Sequence, residues 1–203
     1  MLASLVKKLP FRPFVTDHCE PRIYARKSLR DAVYSSGRLP REIENDPHVM
    51  NLLCTWGETH ALIRFDDQCD LLRARWGATV HADTALTPRE LCAGRAGWYL
   101  VGLVPHKELF GLSTEDAAAC LKARDPSLRL ARSLELYAAA VLLYDASGID
   151  ITDGQDVRAF DPCRVRNDFC FRRKAGTLAV GLRSRRPLPF VGAISVLPLT
   201  RTS

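Results

Sequence analysis

Apolar residues recur at helical intervals in most segments before Gly148 and at every second position in the segments after it. Residues Arg22–Arg26 read as a short strand. A helix is expected from an N-cap at Ser28 to Gly37, with Pro40 barring its continuation. "NDPHVMNLLCTWG" predicts a second short helix, with Asn45 or Asp46 as cap, Pro47 in the first turn and Gly57 at the end. "THALIRFD" alternates as a strand. "DDQCDLLRARWG" spaces Cys69, Leu72 and Trp76 as one helix face, with acids in the first turn and arginines in the last, as the helix dipole favours. "ALTPRELCAG" carries a capping box, Thr87 and Glu90, around Pro88. "GWYLVGLV" is apolar at nearly every position, which predicts a central strand covered on both faces.

"LSTEDAAACLKA" predicts a helix capped by Ser113 or Thr114, with acids at its start and Lys122 at its end. "RSLELYAAAVLLY" fits either a buried helix or a helix passing into a strand. Beyond Gly148, "GIDIT", "DVRAF", "DFCFRR", "TLAVGLRS" and "FVGAISVLPL" are short alternating segments punctuated by Gly, Asp and Pro, and predict an antiparallel sheet. Alternation assigns Phe169 and Phe171 to one face of their strand and Asp168, Cys170 and Arg172 to the other, and it puts Leu178, Val180 and Leu182 on one face of the next. The aromatics therefore go to the core. A single-stranded nucleic acid needs exposed aromatics on which to stack, so specific nucleic-acid binding is not the expected use of the nearby arginines.

Composition refines this picture. With 203 residues, 47% hydrophobic and 26% charged, the balance is that of one globular domain. We read residues 1–21, which include "MLASLVKKLPFRPFV", as a basic N-terminal arm and 22–203 as a single α+β domain, helices before the sheet. The opening has only a five-residue apolar run and no small-residue cleavage site. No apolar run reaches membrane-spanning length, so no membrane partner is expected. The net charge of +6 is unevenly spread: residues 1–41 carry +6, residues 42–157 carry −8 and residues 158–203 carry +8. Basic ends either seek an anionic partner or meet the acidic middle within the fold.

Seven cysteines at irregular spacings, with no C-x-x-C, predict neither a disulfide framework nor a zinc ribbon, and imply a reducing compartment. His18, His48, His60, His81 and His106 are scattered singly, so neither a metal nor another cofactor is expected. No G-x-S-x-G, P-loop or G-x-G-x-x-G is present. Carboxylates remain as candidate chemistry. Glycoside cleavage uses two of them about 5–10 Å apart, one protonated and one ionised. Glu135, inside an apolar run that would favour its protonated form, is the candidate acid, and Asp153 in "GIDITDG" the candidate nucleophile, with Asp150 beside it. The structural alternatives are a one-turn pairing of Glu135 with Arg132 and a D-G turn at Asp153.

The order "RAGWYLVGLVPHKEL", "SLELYAAAVLLYDASGIDIT" and "NDFCFRRKAGTLAVGLRSRRPLPFVGAISV" resembles the RolB/RolC family of Agrobacterium T-DNA plasticity proteins, over about residues 60–200. The resemblance rests on strand patterns and on "FCFRR" followed by "RPLPFVGAISV". It implies a protein expressed in the plant cell, in cytoplasm or nucleus, that alters auxin or cytokinin response and growth. It further implies, as candidate activity, hydrolysis of hormone O-glucosides, and as candidate partners a hormone conjugate or a host plant protein. No catalytic residues carry over from it, and "LLCTW" lacks the acid of an L-x-C-x-E motif. "RIYARKSLRDAVYSSGRLPR" is similar to the opening of bacterial ADP-ribosylating toxins, whose NAD-contacting arginine is matched by Arg26 with a one-residue offset; the S-T-S strand and the E-x-E pair of those toxins have no counterpart in place.

Overall fold

In "GWYLVG", Trp98 and Leu100 point one way and Tyr99 and Val101 the other, and all four are buried. A strand can bury both faces only where other elements cover both, and the computed structural model shows which ones do. It describes residues 12–14, 23–25, 45–56, 60–65, 76, 80–82, 86–92 and 97–199. The strands are β1 (Arg12–Phe14), β2 (Ile23–Ala25), β3 (His60–Phe65), β4 (Val80–Ala82), β5 (Gly97–Gly102), β6 (Arg129–Leu130), β7 (Asp156–Arg158), β8 (Asn167–Lys174), β9 (Thr177–Ser184), β10 (Val191–Ala193) and β11 (Ser195–Pro198). The helices are α1 (Pro47–Trp56), α2 (Thr114–Arg124) and α3 (Ser133–Ser147).

The strands divide between two sheets, ordered β1-β2-β3-β5-β11-β6 and β10-β7-β8-β9-β4. Pairing in the first sheet is antiparallel throughout. In the second, β7/β8 and β8/β9 are antiparallel, while β10/β7 and β4/β9 are parallel. The α+β class expected from the sequence stands. The segments after Gly148 do not stay in one sheet, however: β11 crosses over and inserts between β5 and β6.

Helix α3 resolves the ambiguity of "RSLELYAAAVLLY" as helix throughout, with Leu134 to Leu143 all at most 2% exposed. One apolar cluster joins it to Ala61, Ile63, Tyr99, Val101 and Val196 of the first sheet and to Val157, Phe169, Phe171, Leu178 and Val180 of the second. A helix covered by both sheets needs no polar face, which is why its sequence shows no helical stripe. The opposite face of the first sheet, with Leu62, Trp98, Leu100 and Leu197, packs against Ala117 and Leu121 of α2 and Leu52 of α1.

Local chemistry sets the element ends. Asp46 accepts from the His48 N–H at the start of α1. Ser113 caps α2 by accepting from the Asp116 N–H. Gly148, at φ +69°, ends α3 by donating to the Tyr144 carbonyl. Thr87 and Glu90 make a reciprocal contact around one 3-10 turn, Pro88–Glu90, the Thr87 N–H donating to the Glu90 carboxylate and the Glu90 N–H to the Thr87 carbonyl. The β8–β9 hairpin turns on Ala175 and Gly176, both left-handed, the geometry of a two-residue type I′ turn. The expected helix from Ser28 to Gly37 lies outside the described residues, as does most of the one expected to contain Trp76. Among the described residues no helix is long and apolar enough to cross a membrane.

Candidate functional site: a basic cleft beside helix α2

Glu115, Ala118, Ala119 and Lys122 are spaced three and four apart, so they share the face of α2 opposite the buried Ala117 and Leu121. That face forms one wall of a cleft of about 530 Å³. The facing wall comes from Arg129 and Leu130 of β6, Arg132 just before α3, Phe160 and Pro162 after β7, and Arg185 just after β9. Small alanines on the helix side and Phe160, Leu130 and Pro162 opposite give it apolar sides, and four cations stand on it against one carboxylate, Glu115. A site of this size and polarity suits a small ligand with an apolar body and a negative charge.

Two of the three arginines, Arg129 and Arg185, are held by carboxylates outside the cleft lining. Arg129 donates from NH1 and NH2 to the two carboxylate oxygens of Glu135, at 2.8 and 2.7 Å. Burial opposes the charge on Arg129, yet the hydrogen bonds and charge of Glu135 outweigh it and leave the guanidinium pKa raised. Arg185 donates from Nε to Asp168 at 3.0 Å and from NH2 to the Asp161 carbonyl at 2.9 Å; its guanidinium carbon stands 5.0 Å from the centre of the Phe160 ring. Asp168 also accepts from Thr114, which in turn accepts from the fully buried Arg158. Burial raises the Asp168 pKa, while Thr114, Arg185 and Arg158 pull against that rise. Guanidinium groups fixed in this way meet an anion with little loss of side-chain freedom.

No family model matches the chain, nor does any curated protein or solved structure.

The carboxylates singled out by the sequence sit apart. Glu135 is buried in the first turn of α3, clamped by Arg129 and by the Arg132 N–H at 2.9 Å. Its apolar neighbours in sequence do bury it, but with a partner that holds a charge. Asp153 lies past the other end of α3, exposed, at φ +48° in a Thr152–Gln155 turn closed by the Gln155 N–H on the Thr152 carbonyl. From Glu135 to the end of α3 the helix alone rises about 18 Å. Asp150 is spent on the same turn, accepting from Thr152 and Gly154. Arg26 lies outside the described residues.

A second polar group was not visible as a group in the sequence. Ser195 of β11, completely buried, is 2.8 Å from Nε2 of His60 and 2.6 Å from Nε2 of His106. A hydroxyl has one hydrogen to give, so one imidazole accepts from Ser195 and the other donates to it. Gly102 lies against this group: a Cβ there would press on the Ile194 side chain at 3.2 Å and touch Ser195 Oγ at 3.4 Å. Burial lowers the His106 pKa, partly offset by Glu108 at 3.6 Å. The β3–β5 register, which pairs His60 with Gly102, is the signal that would have found it. With no exposed face on Ser195, this cluster reads as a satisfied core network rather than a nucleophile. Among the described residues no group of three or more His, Cys, Asp or Glu could hold a metal ion.

Proposed function

We propose that the chain acts as a binding protein of the RolB/RolC kind, taking a small aromatic or otherwise apolar anion into the basic cleft and so altering hormone response inside a plant cell, in cytoplasm or nucleus. The observation that carries this reading is the pairing, in one cleft of about 530 Å³, of apolar sides with arginines already oriented by buried carboxylates. An auxin-like indole carboxylate has the matching chemistry: a flat apolar ring beside Phe160 and Leu130, and a carboxylate toward Lys122 and the guanidinium groups. Binding is favoured over O-glucoside hydrolysis because Glu135 and Asp153, the carboxylates put forward for hydrolysis, occupy opposite ends of α3 and are each committed to local structure. ADP-ribosyl transfer rests on Arg26, for which no site is described.

Titration calorimetry of the purified chain with an indole carboxylate should give an affinity on the order of 1–100 μM, weakened by added salt. Lys122→Glu, an exposed change on the cleft wall, should weaken it about tenfold. Absence of heat at millimolar ligand, or an affinity unmoved by Lys122→Glu, overturns the proposal. Release of glucose from an indole or cytokinin glucoside by the same pure protein would restore hydrolysis.

A further inference from the structure

We propose that Cys92 and Cys163 form a thiol–disulfide modification site, oxidised by a low-molecular-weight disulfide such as glutathione disulfide. The two lie 71 residues apart in sequence, yet their sulfurs are 2.9 Å apart. Both are free thiols, Cys163 exposed and Cys92 partly buried.

Their approach is built rather than incidental, because the segments carrying them are fastened to the same point, the N-terminus of α3. The Cys92 N–H donates to Ser133 Oγ at 2.8 Å, and the Leu134 N–H donates to the Cys92 carbonyl at 3.0 Å. From the other segment, Asp161 accepts from the Ser133 N–H at 3.0 Å, and the Phe160 N–H donates to the Ala131 carbonyl. An ion pair between Arg164 and Glu90, at 3.1 Å, spans the two segments directly. Neither sulfur has to be carried far to reach the other. Disulfide formation between fixed, adjacent thiols pays little of the entropy that closing a loop in an unfolded chain would cost.

Exposure makes Cys163 the entry sulfur. Its thiolate attacks one sulfur of glutathione disulfide, forming a mixed disulfide and expelling one glutathione thiolate. Cys92 then loses its proton to solvent base and attacks Cys163 Sγ, forming the internal S–S bond and expelling the second glutathione. Two protein thiols are oxidised by loss of two electrons and two protons, and one glutathione disulfide is reduced to two thiols. Burial, together with the Cys163 sulfur, raises the Cys92 pKa to about 12, so the second step should quicken as pH rises from 7 to 9. Because Phe160 and Pro162 flank this site and line the cleft, the bridge would also fix one cleft wall; that consequence, unlike the bridge itself, rests on the binding reading above.

The test incubates the full chain with glutathione disulfide, blocks remaining thiols and maps peptides. A cross-linked peptide pair containing Cys92 and Cys163 is expected, with a rise in thermal midpoint on the order of 10 °C that dithiothreitol reverses. Cys163→Ser should remove both the cross-link and the rise. Cys92→Ser should stop at a glutathione adduct on Cys163. The proposal is overturned if the wild-type chain also stops at that adduct, if the bridge maps to other cysteines, or if the midpoint rises equally in Cys163→Ser. None of these readouts needs a cleft ligand, so failure here leaves the binding reading standing, and failure of binding leaves the disulfide standing.

Discussion

Replacing Glu135 by Gln removes a charge while keeping the shape of the side chain, and so separates a structural from a chemical role for this residue. Glu135 receives two hydrogen bonds from Arg129 and one from the Arg132 N–H, and its side chain is 2% exposed. A glutamine keeps one acceptor oxygen for these three donors and turns an NH2 group toward a guanidinium. Breaking a fully buried ion pair costs about 3–5 kcal/mol. Arg129 is 28% exposed, so water recovers part of the loss, and we expect about 2–3 kcal/mol. For a chain of this length that corresponds to roughly 5–10 °C in thermal midpoint, read by circular dichroism and checked by urea titration. The double variant Arg129→Met, Glu135→Leu should recover much of the stability, because it leaves no buried charge unpaired. A midpoint for Glu135→Gln within about 1 °C of wild type would refute the account of Glu135 as the anchor of Arg129. Lost glucoside hydrolysis at unchanged stability would instead assign it chemistry.

Adjacent arginines should behave in opposite ways: Arg172→Gln, at an exposed position, should stay within about 0.5 kcal/mol. Arg173→Gln loses donors to the Ala140 and Gly176 carbonyls and the stack on Tyr144 at 3.7 Å, and should cost about 2 kcal/mol by urea unfolding. Gly192→Ala puts a Cβ 2.7–3.0 Å from the Phe110 ring and should cost about 1–3 kcal/mol, largely relieved when Phe110→Ala is added. His106, its pKa lowered by burial, is favoured neutral in the folded chain; below pH about 6.5 the unfolded chain takes up the proton first, so stability falls as pH drops from there toward the folded pKa. Asp161 and Asp168, raised by burial, act in the opposite sense, the folded chain taking up protons first as pH falls. The His106 contribution is therefore read as wild type minus His106→Gln across pH 7.5 to 5, and a difference that does not vary with pH would refute it.

How legible the fold was depended on whether the deciding forces were local. The cap at Ser113, the Pro47 start of α1 and the two-sided burial of β5 follow from a few neighbouring residues, and the structure places all three as expected. The inward turn of Phe169 and Phe171 followed from alternation alone. Asp168 and Cys170, which alternation places on the opposite face, are buried too, because α2 brings Thr114 and the β7 strand brings Arg158 over that end of β8. Phe190, by contrast, is exposed, past the end of the hairpin. Glu135 shows why a site was harder to read than an element. Its apolar neighbours correctly predict burial, but the guanidinium that clamps both its carboxylate oxygens arrives from β6, six residues back and outside the helix. The cleft likewise gathers residues between 115 and 185 from five separate segments, a juxtaposition that no local pattern encodes.

The crossing of β11 into the first sheet carries a consequence for biosynthesis. β5 and β6 share no ladder until residues 195–198 are available to lie between them. A nascent chain that has released everything up to β10 from the ribosome therefore still exposes two unmatched strand edges, and chaperone engagement should persist until β11 emerges.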